Sequence, residues 1–325
     1  MRASRHVGGA VKDRRHESIA LVLGAGGARG LAQIGVIEAL QARGLRIVSV
    51  AGSSAGALVG GLYAAGQLEV YRDWLLGLSR AQMLRLFDPG IGRPALSGGT
   101  RLMAALRGLT GSPRIEELPI DFTAVAVDLL RQREVWLREG DLWDAVRASI
   151  AIPGVFTPHV VNGRELVDGG LLAPLPLAAT RLSGARHVIA VDMHSRSRRR
   201  LPRELRAGIA AEAHDEAPAA TDEVGSLSSR RWLDRWFGRQ ADAGGIAPSL
   251  TIPARLVDMG FGGLMARSLD TMQAQIARTQ LAMDPPELVI HIPRDAAQFY
   301  EFWRAAELID LGRAEAEKVL DAAGY

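Results

Sequence analysis

Five consecutive apolar residues, Ile19-Ala20-Leu21-Val22-Leu23, run directly into the stretch Gly24-Ala25-Gly26-Gly27-Ala28-Arg29-Gly30. A short unbroken apolar run is the pattern of a strand buried on both faces, and such strands belong to parallel sheets covered by helices. Beyond the glycines, Leu31, Ile34, Ile37 and Leu40 recur at helical spacing, Gly44 is a stop signal, and Ile47-Val48-Ser49-Val50 reads as a second strand. The sequence therefore predicts a βαβ unit.

The unit closes on Gly52-Ser53-Ser54-Ala55-Gly56, between the second strand and a run of small apolar residues over 57–65. Gly-x-Ser-x-Gly between a strand and a helix is the pattern of a nucleophile elbow, which leaves the Ser54 hydroxyl exposed at a sharp turn. As a string it is common; its placement carries the weight. The alternative is a glycine- and serine-rich turn that serves packing alone.

Residues 69–108 read as helical and loop-rich, with Thr100 as the cap of a helix over 101–107. Strands are expected over 122–128 and 133–138, and a helix over 142–150. Asn162-Gly163 suits the turn of a hairpin that delivers Asp168-Gly169-Gly170. After a strand over 187–192 the composition shifts to arginine, Ala/Glu/Asp and Gly/Ser runs. The expected organisation is a disordered basic tail over 1–17 and one domain over 18–325 carrying a mobile insertion at about 195–250. A helix from about 253 to 283, a strand over 287–292 and a helix from about 305 to 323 complete it.

The formal net charge of +3, from 39 basic and 36 acidic residues, arises wholly within residues 1–17. No arginine stripe with interleaved aromatics covers a folded segment, so nucleic acid is not expected as a partner. The absence of cysteine excludes disulfides, thiolate metal ligands and a cysteine nucleophile. The tail leads into no secretory h-region, and no apolar run reaches the ~20 residues of a bilayer span. A cytoplasmic protein is expected.

A serine hydroxyl needs a base. His194, just past a strand end, is the one credible triad histidine among seven; Asp168, flanked by Gly169 and Gly170, competes with Asp128 and Asp192 as the acid. The glycine loop fits neither frame of the strict dinucleotide fingerprint. It reads better as backbone N–H groups at a helix start that stabilise an oxyanion. Arg29 either braces this loop or meets an anionic head group.

Together, Gly26-Gly27-Ala28-Arg29-Gly30, Gly52-x-Ser54-x-Gly56 and Asp168-Gly169-Gly170 resemble, in this order, the patatin-like phospholipase family in its bacterial branch. Residues 34–40 and 284–288 look like family positions too, so the resemblance spans roughly residues 19–323. It implies Ser54 as nucleophile, Asp168 as its partner in a dyad without histidine, and Gly26, Gly27 and Ala28, with Arg29, as the oxyanion hole. One departure is visible: where the family often has Asn-Pro after Asp-Gly-Gly, this chain has Ala173-Pro174.

The expectation is an α/β fold of three layers with a mainly parallel central sheet, acting without metal or cofactor as a serine hydrolase on fatty-acyl esters of phospholipids or lysophospholipids. The alternatives are an α/β-hydrolase esterase using His194, and a regulatory or interaction protein with weak or no catalysis. Trp232, Trp236 and Phe237 share a helical face opposite arginines. They suggest either peripheral contact with the inner face of the membrane or aromatic packing over the core or the pocket mouth.

Overall fold

In a computed structural model, residues 17–87, 97–181, 183–195 and 261–325 are described. Residues 1–16 of the expected tail, residues 196–250 of the expected insertion, and with them Trp232, Trp236 and Phe237, lie outside the described residues. Contacts divide the chain into two units, Met1–Ser197 with Met272–Tyr325, and Arg198–Thr271. Of the second unit, the described residues are Phe261–Thr271, the opening turns of one helix.

The first unit is built on β1 (Ser18–Leu23), β2 (Arg46–Ser53), β3 (Asp121–Asp128), β4 (Arg133–Leu137), β5 (His159–Val161), β6 (Arg164–Asp168), β7 (His187–Ser195) and β8 (Leu288–Pro293). Hydrogen-bonded neighbours follow the path β5-β6-β3-β2-β1-β7-β8, with β4 also on β3. The core pairs β1–β2, β1–β7, β2–β3 and β7–β8 are parallel, while β4 and β6 run antiparallel to β3. The helices are α1 (Ala32–Ala42), α2 (Ala55–Ala64), α3 (Leu68–Gly77), α4 (Arg80–Leu86), α5 (Thr100–Thr110), α6 (Leu142–Ser149), α7 (Phe261–Met283) and α8 (Ala305–Ala323).

Alternation along β1 sets the layers. Ile19, Leu21 and Leu23 enter the main core with residues of α1, α2, α6 and α8. Val22 points the other way and packs with Leu175, Leu177, Ala190 and Ala277 of α7. The sheet is thus covered on both faces, as the apolar run predicts. Among the described residues, no helix is long and apolar enough to cross a membrane.

Several boundaries differ from the sequence reading, and β7 runs three residues past the expected 192, so that His194 lies inside it rather than just past its end. Leu31 belongs to a 3-10 turn, Gly27–Leu31, and α1 begins at Ala32. Thr100 is not a cap but the first helical residue of α5: Gly99, in the left-handed region, holds the N-cap position without a side-chain bond.

β3 places the site. Its residues Ser49↔Asp121 to Ser53↔Val125 pair with β2, whereas β4 pairs over Ala124–Asp128 and therefore takes the opposite edge. β6 pairs with Ala126–Asp128, where β4 already occupies that opposite edge, so β6 lies on the edge that β2 vacates. The ends of β2 and β6 meet there: Ser53 faces Val125 and Asp168 faces Ala126, one residue apart along β3.

Candidate active site

Ser54 sits between β2 and α2 with φ 55° and ψ −123°, a backbone conformation that a residue other than glycine rarely adopts. The flanking glycines let the chain turn back on itself. A Cβ on Gly52 would lie 2.3 Å from the Gly56 carbonyl oxygen, and one on Gly56 would lie 2.1 Å from the Leu23 carbonyl oxygen. The strained turn is held from outside by Ser149 at the end of α6. The Ser54 N–H donates to Ser149 Oγ at 3.0 Å, and Ser149 Oγ donates to the Val125 carbonyl at 2.6 Å.

The Ser54 hydroxyl donates to Asp168 Oδ2 at 2.6 Å. Asp168 Oδ1 accepts the Gly170 N–H at 2.7 Å. Ser54 is 4% exposed and Asp168 1%. Burial is the largest influence on the carboxyl and pushes it up to about 7, against the opposing pull of the hydrogen bonds from Ser54 and Gly170. A carboxylate of that basicity, directly on a serine hydroxyl, is suited to accept its proton near neutral pH.

The rival acids have other employment. Asp128 receives the Arg131 guanidinium at 2.8 Å and the Arg131 N–H at 3.0 Å, which hold it below the usual carboxylate range. Burial pulls Asp192 upward, but His291 Nδ1 at 3.1 Å and the His194 N–H at 2.9 Å outweigh it and keep that carboxyl low as well. His194 lies in β7 beside Asp192, and Asp168 reaches Ser54 with no imidazole between them.

The glycine loop abuts the elbow, since a Cβ on Gly30 would meet the Ala55 Cβ at 2.3 Å. Its N–H groups are not equivalent. Ala28 donates to the Phe299 carbonyl at 2.8 Å, which removes it from the expected set of oxyanion donors. The N–H groups of Gly26 and Gly27 donate to no described residue and stand at the mouth of the 3-10 turn. Arg29 is buried and braces the loop, with Nε on the Gly26 carbonyl at 3.2 Å and a guanidinium nitrogen on the Arg294 carbonyl at 3.0 Å. Buried Gln33 adds a second brace, donating to the Gly24 carbonyl at 2.7 Å.

Where the family often has asparagine, Ala173 is buried with Ala51, Val125 and Ala179. The turn after Asp168 closes on backbone alone: the N–H groups of Leu172 and Ala173 donate to the Gly169 carbonyl, at 3.2 and 2.8 Å. The Ala25 N–H then ties the glycine loop to Pro174 at 2.8 Å.

Ser149 and Phe299 were not singled out by the sequence. For Ser149 the one available signal is a serine in the last turn of a helix whose closing residues are all buried. Ser149→Ala is expected to cost about 1–3 kcal/mol by leaving the Ser54 N–H without its buried acceptor, with a loss of kcat on a soluble ester. Urea melts and steady-state kinetics check this; wild-type values in both would refute the role.

A family model for patatin-like phospholipases matches residues 21–181, which include the glycine loop, Ser54 and Asp168. An uncharacterized NTE family protein of Mycobacterium tuberculosis is 40% identical over 330 residues, covering 94% of this chain and 91% of that one. The patatin-like phospholipase domain-containing protein 7 of Mus musculus is 33% identical over 186 residues, 55% of this chain and 14% of that protein. The crystal structure of VipD from Legionella pneumophila aligns with 95% of this chain and 67% of its own at 13% identity and a TM-score of 0.43. Forty per cent identity sustained over nearly the whole of two chains, with the family model laid across the serine and its aspartate, makes this chain a member of the patatin-like phospholipase family.

Proposed function

We propose that the chain is a serine acyl hydrolase that cleaves fatty-acyl esters of phospholipids or lysophospholipids through a Ser54–Asp168 dyad. One observation carries the reading: the 2.6 Å hydrogen bond from the Ser54 hydroxyl to a buried carboxyl whose proton affinity is raised to about 7. Asp168 takes the Ser54 proton as Oγ attacks the ester carbonyl carbon. The N–H groups of Gly26 and Gly27 receive the oxyanion, a contribution of roughly 3 kcal/mol per donor. The proton passes from Asp168 to the departing alcohol oxygen, leaving an acyl-Ser54 ester. Water then gives a proton to Asp168 and attacks the acyl carbon, and the proton returns to Ser54 as the fatty acid leaves.

Two measurements test this together. Turnover of a long-chain lysophospholipid is expected from the wild-type chain, and its absence across simple esters and lysophospholipids would favour a regulatory or interaction role. A fluorophosphonate is expected to label wild type and not Ser54→Ala; equal labelling would overturn the nucleophile assignment. Asp168→Asn is expected to lower hydrolysis far more than His194→Ala, and the reverse ranking would restore the histidine triad. The domain reading is one hydrolase domain over 18–325 that carries a mobile insertion at about 195–250.

A further inference from the structure

Two hairpin turns project from the same end of the sheet. β3 runs parallel to β2 and continues past Val125, the partner of Ser53, for three more residues, about 10 Å. It then turns through Leu129, Leu130, Arg131 and Gln132 into β4. The turn between β5 and β6, Asn162-Gly163, lies at the same end, because β6 runs from Arg164 inward to Asp168. Both tips therefore rise beyond the site on the edge of β3 or beside it.

Their surface is unlike that of ordinary turns. Leu130 is 86% exposed, Leu129 51% and Val160, next to the second turn, 58%. The first turn is pinned rather than loose: buried Asp128 receives both the backbone N–H and the guanidinium of Arg131. Residues 129–133 and 161–164 carry three arginines, Arg131, Arg133 and Arg164, and no carboxylate. Arg133 and Arg164 also border an open groove of about 460 Å³ with Val135 and Trp136. The acid in its lining, Glu134, is turned to the Trp136 indole N–H at 3.1 Å. Leucines at the outermost point with arginines just behind them match the layering of an anionic lipid surface, apolar below and phosphate above.

We propose that the β3–β4 and β5–β6 tips form the docking surface for an anionic lipid bilayer, Leu129 and Leu130 entering the acyl boundary and Arg133 and Arg164 meeting head-group phosphates. The surface rests on residues apart from the dyad, so its test does not depend on turnover. The inference deepens the lipid-hydrolase reading by naming how the site faces its substrate.

The test is flotation of the full chain with vesicles of phosphatidylcholine containing phosphatidylglycerol, beside vesicles of phosphatidylcholine alone. Wild type is expected to bind the anionic vesicles more tightly, with a loss on raising salt. The double variant Leu129→Ser/Leu130→Ser is expected to bind about tenfold or more weakly, and Arg133→Gln/Arg164→Gln to lose the preference for anionic vesicles. Melting temperatures within the wild-type range show that the variants fold. Wild-type binding by the leucine variant, or no vesicle binding by wild type, overturns the proposal. So does light scattering that shows concentration-dependent dimers abolished by the leucine changes without any vesicle binding, since the tips would then serve a second copy of the chain. Vesicle binding without ester turnover would leave the docking surface standing and remove the hydrolase.

Discussion

Asp168→Asn is expected to lower ester hydrolysis about a hundred- to ten-thousandfold and at the same time to make the protein more stable above neutral pH. The activity loss follows from removing the carboxylate proposed to take the Ser54 proton. The stability gain follows from linkage. An unfolded aspartate ionises near pH ~3.9, whereas burial sets the folded Asp168 at about 7. Between those values the native state keeps a proton that the unfolded state has released, so stability falls as pH rises through the window. The total is about 4 kcal/mol, complete above pH ~7. Asparagine has no such proton, so melting temperatures of variant and wild type should diverge from about pH 4 to about pH 7. Parallel curves would show that Asp168 is not held protonated by its surroundings. The same ionisation predicts that wild-type kcat/KM declines as pH drops below about 7, where the base is lost.

Gly56→Ala is expected to destabilise the fold by about 3 kcal/mol or more. The new methyl would stand 2.1 Å from the Leu23 carbonyl oxygen and 2.6 Å from its carbon, atoms of a central strand that is buried on both faces. Neither side can yield without moving the sheet against α2. The helix-propensity gain of replacing glycine, about 1 kcal/mol at most, is too small to offset that overlap. Gly108→Ala is the control, because it lies in α5 with nothing within 4 Å of the added carbon. It is expected to stabilise by roughly 0.5–1 kcal/mol. Denaturant melts of both variants decide the matter; a Gly56→Ala chain as stable as wild type would mean that the elbow packing is soft.

Much of the fold was legible because its strands are apolar without interruption. The run 19–23 could be read as two-sided burial, and the run into Gly52 led straight to the elbow. The base was harder. Asp128, Asp168, Asp192 and His194 all sit near strand ends, and what separates them is whether an arginine, a histidine or nothing cationic reaches the carboxylate. The glycine pair after Asp168 set it apart from Asp128 and Asp192 beforehand, and the resemblance to a family made it the partner of Ser54 without a histidine. The Ala28 N–H could not be set aside as a proposed oxyanion donor for a related reason: the Phe299 carbonyl that takes it up lies 271 residues further along the chain. Thr100 looked like a cap because threonine caps helices well, but a left-handed Gly99 performs the turn instead.

The end-to-end meeting of β2 and β6 on one edge of β3 makes reactivity a readout of strand register. Side chains alternate along β6, so a slip of one residue would turn Asp168 to the opposite face and bring Val167 or Gly169 opposite Ala126. The serine would keep its strained turn and lose the carboxylate proposed as its base. An insertion of one residue into β6 is therefore a switch with two positions, and a chain misaligned there would pass as folded while remaining inert.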